Sequence, residues 1–304
     1  MLLLQQMIVL FIYIALGYGA AKKGVMDEGF SKKISWVVVN IANPALTLSA
    51  VVNGEGTITG KELLLTAAAA LVILGGMVLL SLALPVLFRI RKEYRGVYRL
   101  MSAFNNIGFM GFPVISAVYG QEALLYAAVF SMLFNVLIYT YGIRTVQEDA
   151  GGIEWGKVFN IGVVGSIAAI VIYLLKIPTP EFFNTTMGGL SGLTAPLSMM
   201  VIGISLTGIR LKELFLDTGL LLYSLTKLLV IPILAMQAVV RVIDNEMLCG
   251  VCMVMLATPA ASMTAMLAQQ YGDEESGEQA AKGVALTTLL SVVTIPIVSA
   301  AVFS

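Results

Sequence analysis

Apolar stretches of about 20 residues recur from one end of the 304-residue chain to the other, each long enough to cross roughly 30 Å of hydrocarbon. They fall at roughly 2–22, 34–52, 62–88, 100–119, 122–143, 157–176, 185–209, 214–240, 248–271 and 279–303. The expectation is an all-α integral membrane protein of about ten transmembrane helices. Hydrophobic residues make up 59% and charged residues 12%, against roughly half and a quarter in an ordinary soluble domain. The connections are too short to hold a sizeable soluble domain.

The same composition excludes several functions. Eighteen basic residues balance eighteen acidic ones, so there is no electrostatic footprint for nucleic acid. Histidine is absent, which removes Ser-His and Cys-His catalysis and histidine metal ligation. No cofactor or metal cluster is expected, and the chain is not read as an enzyme. Cys249 and Cys252 open an apolar segment and read as small buried residues. The first apolar run carries Lys22 and Lys23 after it and no basic stretch before it, so it reads as a retained span.

Lys and Arg fix the orientation, since basic connections stay cytoplasmic. One side collects Lys22, Lys23, Lys32, Lys33, the cluster from Arg89 to Arg99, Arg144, Lys157, Arg210, Lys212 and Lys282; the other has Lys61, Lys176 and Arg241. With an even number of spans, both termini lie outside the cytoplasmic membrane.

An internal repeat follows from one offset. Shifting the chain by 152 residues places Pro44 on Pro196, Arg89 on Arg241 and Tyr119-Gly120 on Tyr271-Gly272. The halves are therefore 1–146 and 158–304, joined by a connection over 147–157. A five-span unit repeated in tandem enters the second time from the opposite face, which gives the inverted architecture of secondary transporters.

Spans 4 and 9 are poor uninterrupted helices. The fourth contains Asn105, Asn106, Gly108, Gly111 and Pro113; the ninth contains Thr258, Pro259, Ala260, Ser262 and Thr264. Proline removes a donor, glycine weakens the helix, and the short polar side chains can bond the freed backbone. Both spans are expected to break near mid-membrane, where a break is tolerated only if it is buried in protein or lines a wet cavity. If the breaks meet, half-helix N-termini suit a carboxylate, with Asn105, Asn106, Thr258, Ser262 and Thr264 orienting it. Further helix breaks are expected at Asn43-Pro44 and Pro196.

Lys227 is the one charge placed deep in the bilayer, where charge is expensive and usually functional. It is expected either to attract an anionic substrate or to hold the exposed carbonyls of a broken helix. Asn135 in span 5 is a further candidate for the site. Every Asp and Glu falls in a connection or at a span end, so carboxylate-based proton coupling is disfavoured. That leaves potential-driven or facilitated anion movement, or sodium held by carbonyls and hydroxyls.

These residues resemble the auxin efflux carrier family over nearly the whole chain. Asn106-x-x-x-Met110-Gly111-Phe112-Pro113 followed by Tyr119-Gly120 is similar to the family's span 4, Ala257-Thr258-Pro259 through Tyr271 to its span 9, and Asn43-Pro44-Ala45-Leu46 to its span 2. The resemblance implies crossed interrupted helices, a scaffold of spans 1, 2, 6 and 7 that often forms a homodimer, and a moving transport domain that works as an elevator. It also implies an organic anion substrate such as malate, malonate or an indole acid. The short central connection, and Thr264 where the plant carriers have a second proline, point to a bacterial dicarboxylate or other metabolite. A sodium- or proton-coupled symporter, as in the related bile acid transporters, is the alternative.

Overall fold

A computed structural model describes residues 2–53, 58–146 and 155–303. Among the described residues the chain is helical, and its only β-bridge is an isolated one. In chain order the principal helices are α1 (Leu2–Lys22), α2 (Gly29–Val52), α3 (Gly60–Leu87), α4 (Arg95–Ala103), α5 (Ile107–Tyr119) and α6 (Leu124–Val146). They continue with α7 (Ile161–Leu175), α8 (Glu181–Gly208), α9 (Thr218–Val242), α10 (Glu246–Ala257), α11 (Ser262–Tyr271) and α12 (Glu274–Phe303). Helices α2, α3, α6, α8, α9 and α12 are long and apolar enough to cross a membrane; α5, α7 and α10 are shorter apolar helices. Residues 147–154 of the expected central connection lie outside the described residues.

Polar residues between the apolar runs start the helices by capping their free N–H groups. Thr59 and Glu62 form a reciprocal capping box at α3. Asn160, Asp217 and Asn245 accept from the backbone of Val163, Leu220 and Leu248 at the starts of α7, α9 and α10. Helix α5 stops at Gly120, whose φ of 81° is easy only for glycine. The outer faces are apolar: on α3, Leu64 and Val72 are 73% and 74% exposed, which fits lipid rather than water.

The helices fall into two groups. In one, α1 runs along α8 and α2 packs on α7 and α8. The first pair is in backbone contact: a Cβ at Gly203 would meet the Ile14 carbonyl oxygen at 2.0 Å, and one at Gly17 the Met200 carbonyl oxygen at 2.3 Å. Small residues permit such approach, which is what drives helix association in lipid. In the other group α3, α4, α9, α10, α11 and α12 pack around a largely buried centre, with α5 and α6 in contact with both groups.

Prolines shape the helices differently from the expectation. Asn43-Pro44 does not break α2. A π-helical turn at Val38–Ala42 precedes it, and the Asn43 N–H reaches back to the Val38 carbonyl. Similar turns at Ile107–Gly111 and Thr226–Val230 precede Pro113 and Pro232. The wider turn makes room for the proline ring and absorbs the missing donor, so the helix continues. Pro196 likewise sits inside a helix that begins at Thr194, and the interruption of α8 lies just upstream at Gly192 and Leu193. Helix α12 starts at Glu274, earlier than expected, so Lys282 is on a helix and pairs with Glu278 at 2.7 Å.

Candidate functional site

The fourth and ninth apolar stretches are both interrupted, and their interruptions touch. Helix α4 ends at Ala103 and α5 begins at Ile107; α10 ends at Ala257 and α11 begins at Ser262. The extended residues between them form a short antiparallel bridge of Asn105 with Ala260. The Asn106 N–H donates to the Pro259 carbonyl at 2.8 Å, and the Ala261 N–H to the Phe104 carbonyl at 3.0 Å. Each broken helix thus supplies the partners that the other lacks, as apolar surroundings demand.

Gly108, Gly111 and Pro113 are not part of the unwound stretch. The first two belong to the π turn that opens α5, and Pro113 lies in the first turn after it. The unwound residues are Phe104 to Asn106 and Thr258 to Ala261, so Pro259 and Ala260 do sit at the break.

Side chains complete the crossing. The Asn105 amide nitrogen donates to the carbonyls of Met255 at 2.6 Å and Leu256 at 3.0 Å, satisfying the last turn of α10. Its carbonyl oxygen accepts from the Lys227 ammonium, which the π turn of α9 carries. The Asn106 carbonyl oxygen caps the Phe109 N–H at 3.2 Å, and its amide nitrogen donates to the Ser262 hydroxyl at 3.3 Å. Thr264 is turned back onto the Ala261 carbonyl at 2.6 Å, and the fully buried Thr258 hydroxyl has no hydrogen-bond partner among the described residues.

The crossing has two unlike faces. The C-terminal ends of α4 and α10, with Lys227 and Asn105, are buried, and Lys227 has no exposed surface at all. The opening turns of α5 and α11 carry Gly108, Phe109, Ser262 and Met263, which are partly exposed. The N-terminal turns, with their partial positive charge, thus form the accessible face.

Several contributors were not legible in the sequence. Thr287 of α12 accepts the Ala260 N–H at 3.2 Å, and Ser291, one turn on, contacts the Met110 sulfur at 3.5 Å. Their i, i+4 spacing in an apolar helix was the available signal. The Asn43 amide nitrogen reaches from α2 to the Gly108 carbonyl at 3.2 Å, and its own buried oxygen has no partner. Asn135 does not join this network: it donates to the Ser131 carbonyl at 2.7 Å and accepts from Asn160 at 2.8 Å, where α6 meets α7.

Away from the crossing, a cleft of about 280 Å³ is lined by Val240, Ile243, Asp244, Glu246, Cys249, Val302 and Phe303, and includes none of the crossing residues. Cys249 and Cys252 are free and buried. Among the described residues no group of acidic or thiol side chains could hold a metal.

A model of the membrane transport protein family matches residues 2–160 and 153–299. An uncharacterized transporter of Methanocaldococcus jannaschii is 25% identical over 305 residues, covering 97% of each chain. Another from Methanothermobacter thermautotrophicus is 24% identical over 94% of each chain. The uncharacterized transporter YfdV of Escherichia coli is 20% identical over 65% of this chain and 66% of its own. The family and these relatives are membrane transporters, not enzymes. With its apolar helices and two crossed, interrupted spans, the chain belongs to the membrane transport protein family, the auxin efflux carriers.

Proposed function

We propose that this transporter is a secondary carrier of small organic anions, carboxylates such as malate, malonate or an indole acid, working by an elevator-type alternation. The observation that carries the reading is the polarity of the crossing. The partly exposed turns at Gly108, Phe109, Ser262 and Met263 are the positive ends of α5 and α11, next to the buried Asn106, while the negative ends of α4 and α10 are buried with Lys227. A carboxylate meets complementary dipoles and hydrogen-bond donors there; a cation does not.

Two inverted five-helix halves account for the crossing. The partly unwound residues lie at comparable places in each half, and α5 and α11 end alike at Tyr119 and Tyr271. The elevator reading is supported by the packing of α1, α2, α7 and α8 mainly on one another, with α5 of the crossing seated against α1 and α8. The first group is the static scaffold and the homodimer contact; the second moves. Asn43 bridges the two at Gly108, so this hydrogen bond breaks when the transport group slides.

Screening the purified protein by thermal shift against about a hundred metabolite acids identifies the substrate, because a ligand that binds only the folded state raises its melting temperature. A carboxylate among the stabilising compounds is the expected result. A panel without any such compound, together with no carboxylate flux in liposomes, removes the anion assignment. A sodium-coupled symporter is the second reading, favoured by the buried, unpartnered oxygens of Thr258 and Asn43. Replacing sodium with potassium separates the two.

A further inference from the structure

The buried face of the crossing raises a question of charge balance. Two helices end there, and the carbonyls of a last helical turn carry partial negative charge that water neutralises at a protein surface. Here Phe104, Met255, Leu256 and Ala257 are at most 2% exposed, so water does not serve. A cation is the natural complement, and the chain supplies one in Lys227.

Three observations define its role. The ammonium donates to Asn105 Oδ1, and the same amide holds the Met255 and Leu256 carbonyls, so the charge acts on the end of α10 through one planar group. Among the described residues no carboxylate pairs with Lys227. The lysine also has no exposed surface, whereas Gly108, Phe109, Ser262 and Met263 of the opening turns are partly exposed.

We infer that Lys227 is a built-in counter-cation that takes the place of a bound inorganic cation at the crossing, which makes transport independent of sodium. It is a positioning residue: it fixes Asn105 and, through it, the end of α10, and leaves the positive ends of α5 and α11 to the substrate. The transport part of this inference rests on the carrier reading above; the charge balance at the crossing does not.

The test uses the purified full-length protein with Lys227→Ala and Lys227→Gln. A small amine that enters the vacated space restores the missing cation, so methylammonium should raise the melting temperature of Lys227→Ala by about 5 °C at saturating concentration while leaving the wild type unchanged. Tetramethylammonium, which is bulkier and donates no hydrogen bond, should not. Lys227→Gln keeps a donor for Asn105 but no charge, and should be as heat-labile as the alanine variant. If Lys227→Gln melts and transports like the wild type, charge is not what the site needs and the inference fails. Should the alanine variant not purify, the glutamine comparison decides alone.

In liposomes the wild type should move its carboxylate equally in sodium and in potassium, a ratio of about 1, and tenfold faster in sodium would overturn the inference. Absence of any carboxylate flux would count against the carrier reading only, since the melting comparison still reports on Lys227.

Discussion

Asn105 serves three partners with one amide, and removing it exposes what each of them needs. Asn105→Ala leaves an ammonium and two carbonyls unpaired in a buried site. Breaking a buried charged contact in this way costs about 3–5 kcal/mol, so the variant should melt far below the wild type or fail to accumulate. A melting curve that overlays the wild type would mean that water or a rearranged side chain replaces the amide. On the accessible face the expected loss is in binding. Asn106→Ala and Ser262→Ala should each weaken the carboxylate found by screening about tenfold or more, because a hydrogen bond to a charged group contributes about 1.5–3 kcal/mol. Titration calorimetry reads this directly, and unchanged affinity would place the ligand elsewhere. At this scale much of the site was legible: amide and hydroxyl side chains crowded among Gly and Pro in an apolar run have few structural uses. The lone deep charge of Lys227 was equally visible. Its partner was not, because Asn105 lies 122 positions away in sequence and no periodicity links them. Thr287, and the reach of Asn43 to Gly108, were hidden for a related reason: hydrophobicity all around a membrane helix hides which face turns inward.

At the level of elements, six of the ten expected runs are helices long and apolar enough to cross a membrane and three more are shorter apolar helices, while proline misled at Pro44 and Pro196. Pro44 was read as a break, and the helix instead widens by one residue ahead of it. The true interruptions at Phe104 and Thr258 arise where polar residues and a second broken helix can satisfy the freed backbone, which is a tertiary condition. Pro232 illustrates the use of such a turn. The π turn before it carries Lys227, and Pro232→Ala removes the reason for the extra residue. Regularising α9 rotates the lysine away from Asn105, so transport should fall although the lysine is still present; flux equal to the wild type would separate the π turn from the site. The α1–α8 pair makes a simpler forecast. Gly203→Val pushes a side chain into the Ile14 carbonyl, and overpacking of this kind costs about 1–3 kcal/mol or more. The melting temperature should drop, and a neutral result would show that the helices can part.

For the whole molecule, the orientation in the membrane decides which side each broken helix faces during a transport cycle. The basic connections predict both termini on the outside. Alkaline phosphatase fused after Phe303 should therefore be active and a fluorescent protein fused there dark; the reverse pattern would invert the orientation of the crossing. The most direct test of the central claim is counterflow. Liposomes holding the purified protein and an internal load of the identified carboxylate should accumulate the labelled compound from outside, saturably. Asn106→Ala combined with Ser262→Ala should reduce that uptake to the level of empty liposomes while the protein still melts cooperatively, its unliganded melting temperature lowered by the lost cap at Phe109. Undiminished uptake by the double variant would show that the crossing of the two broken helices is not where the anion is carried.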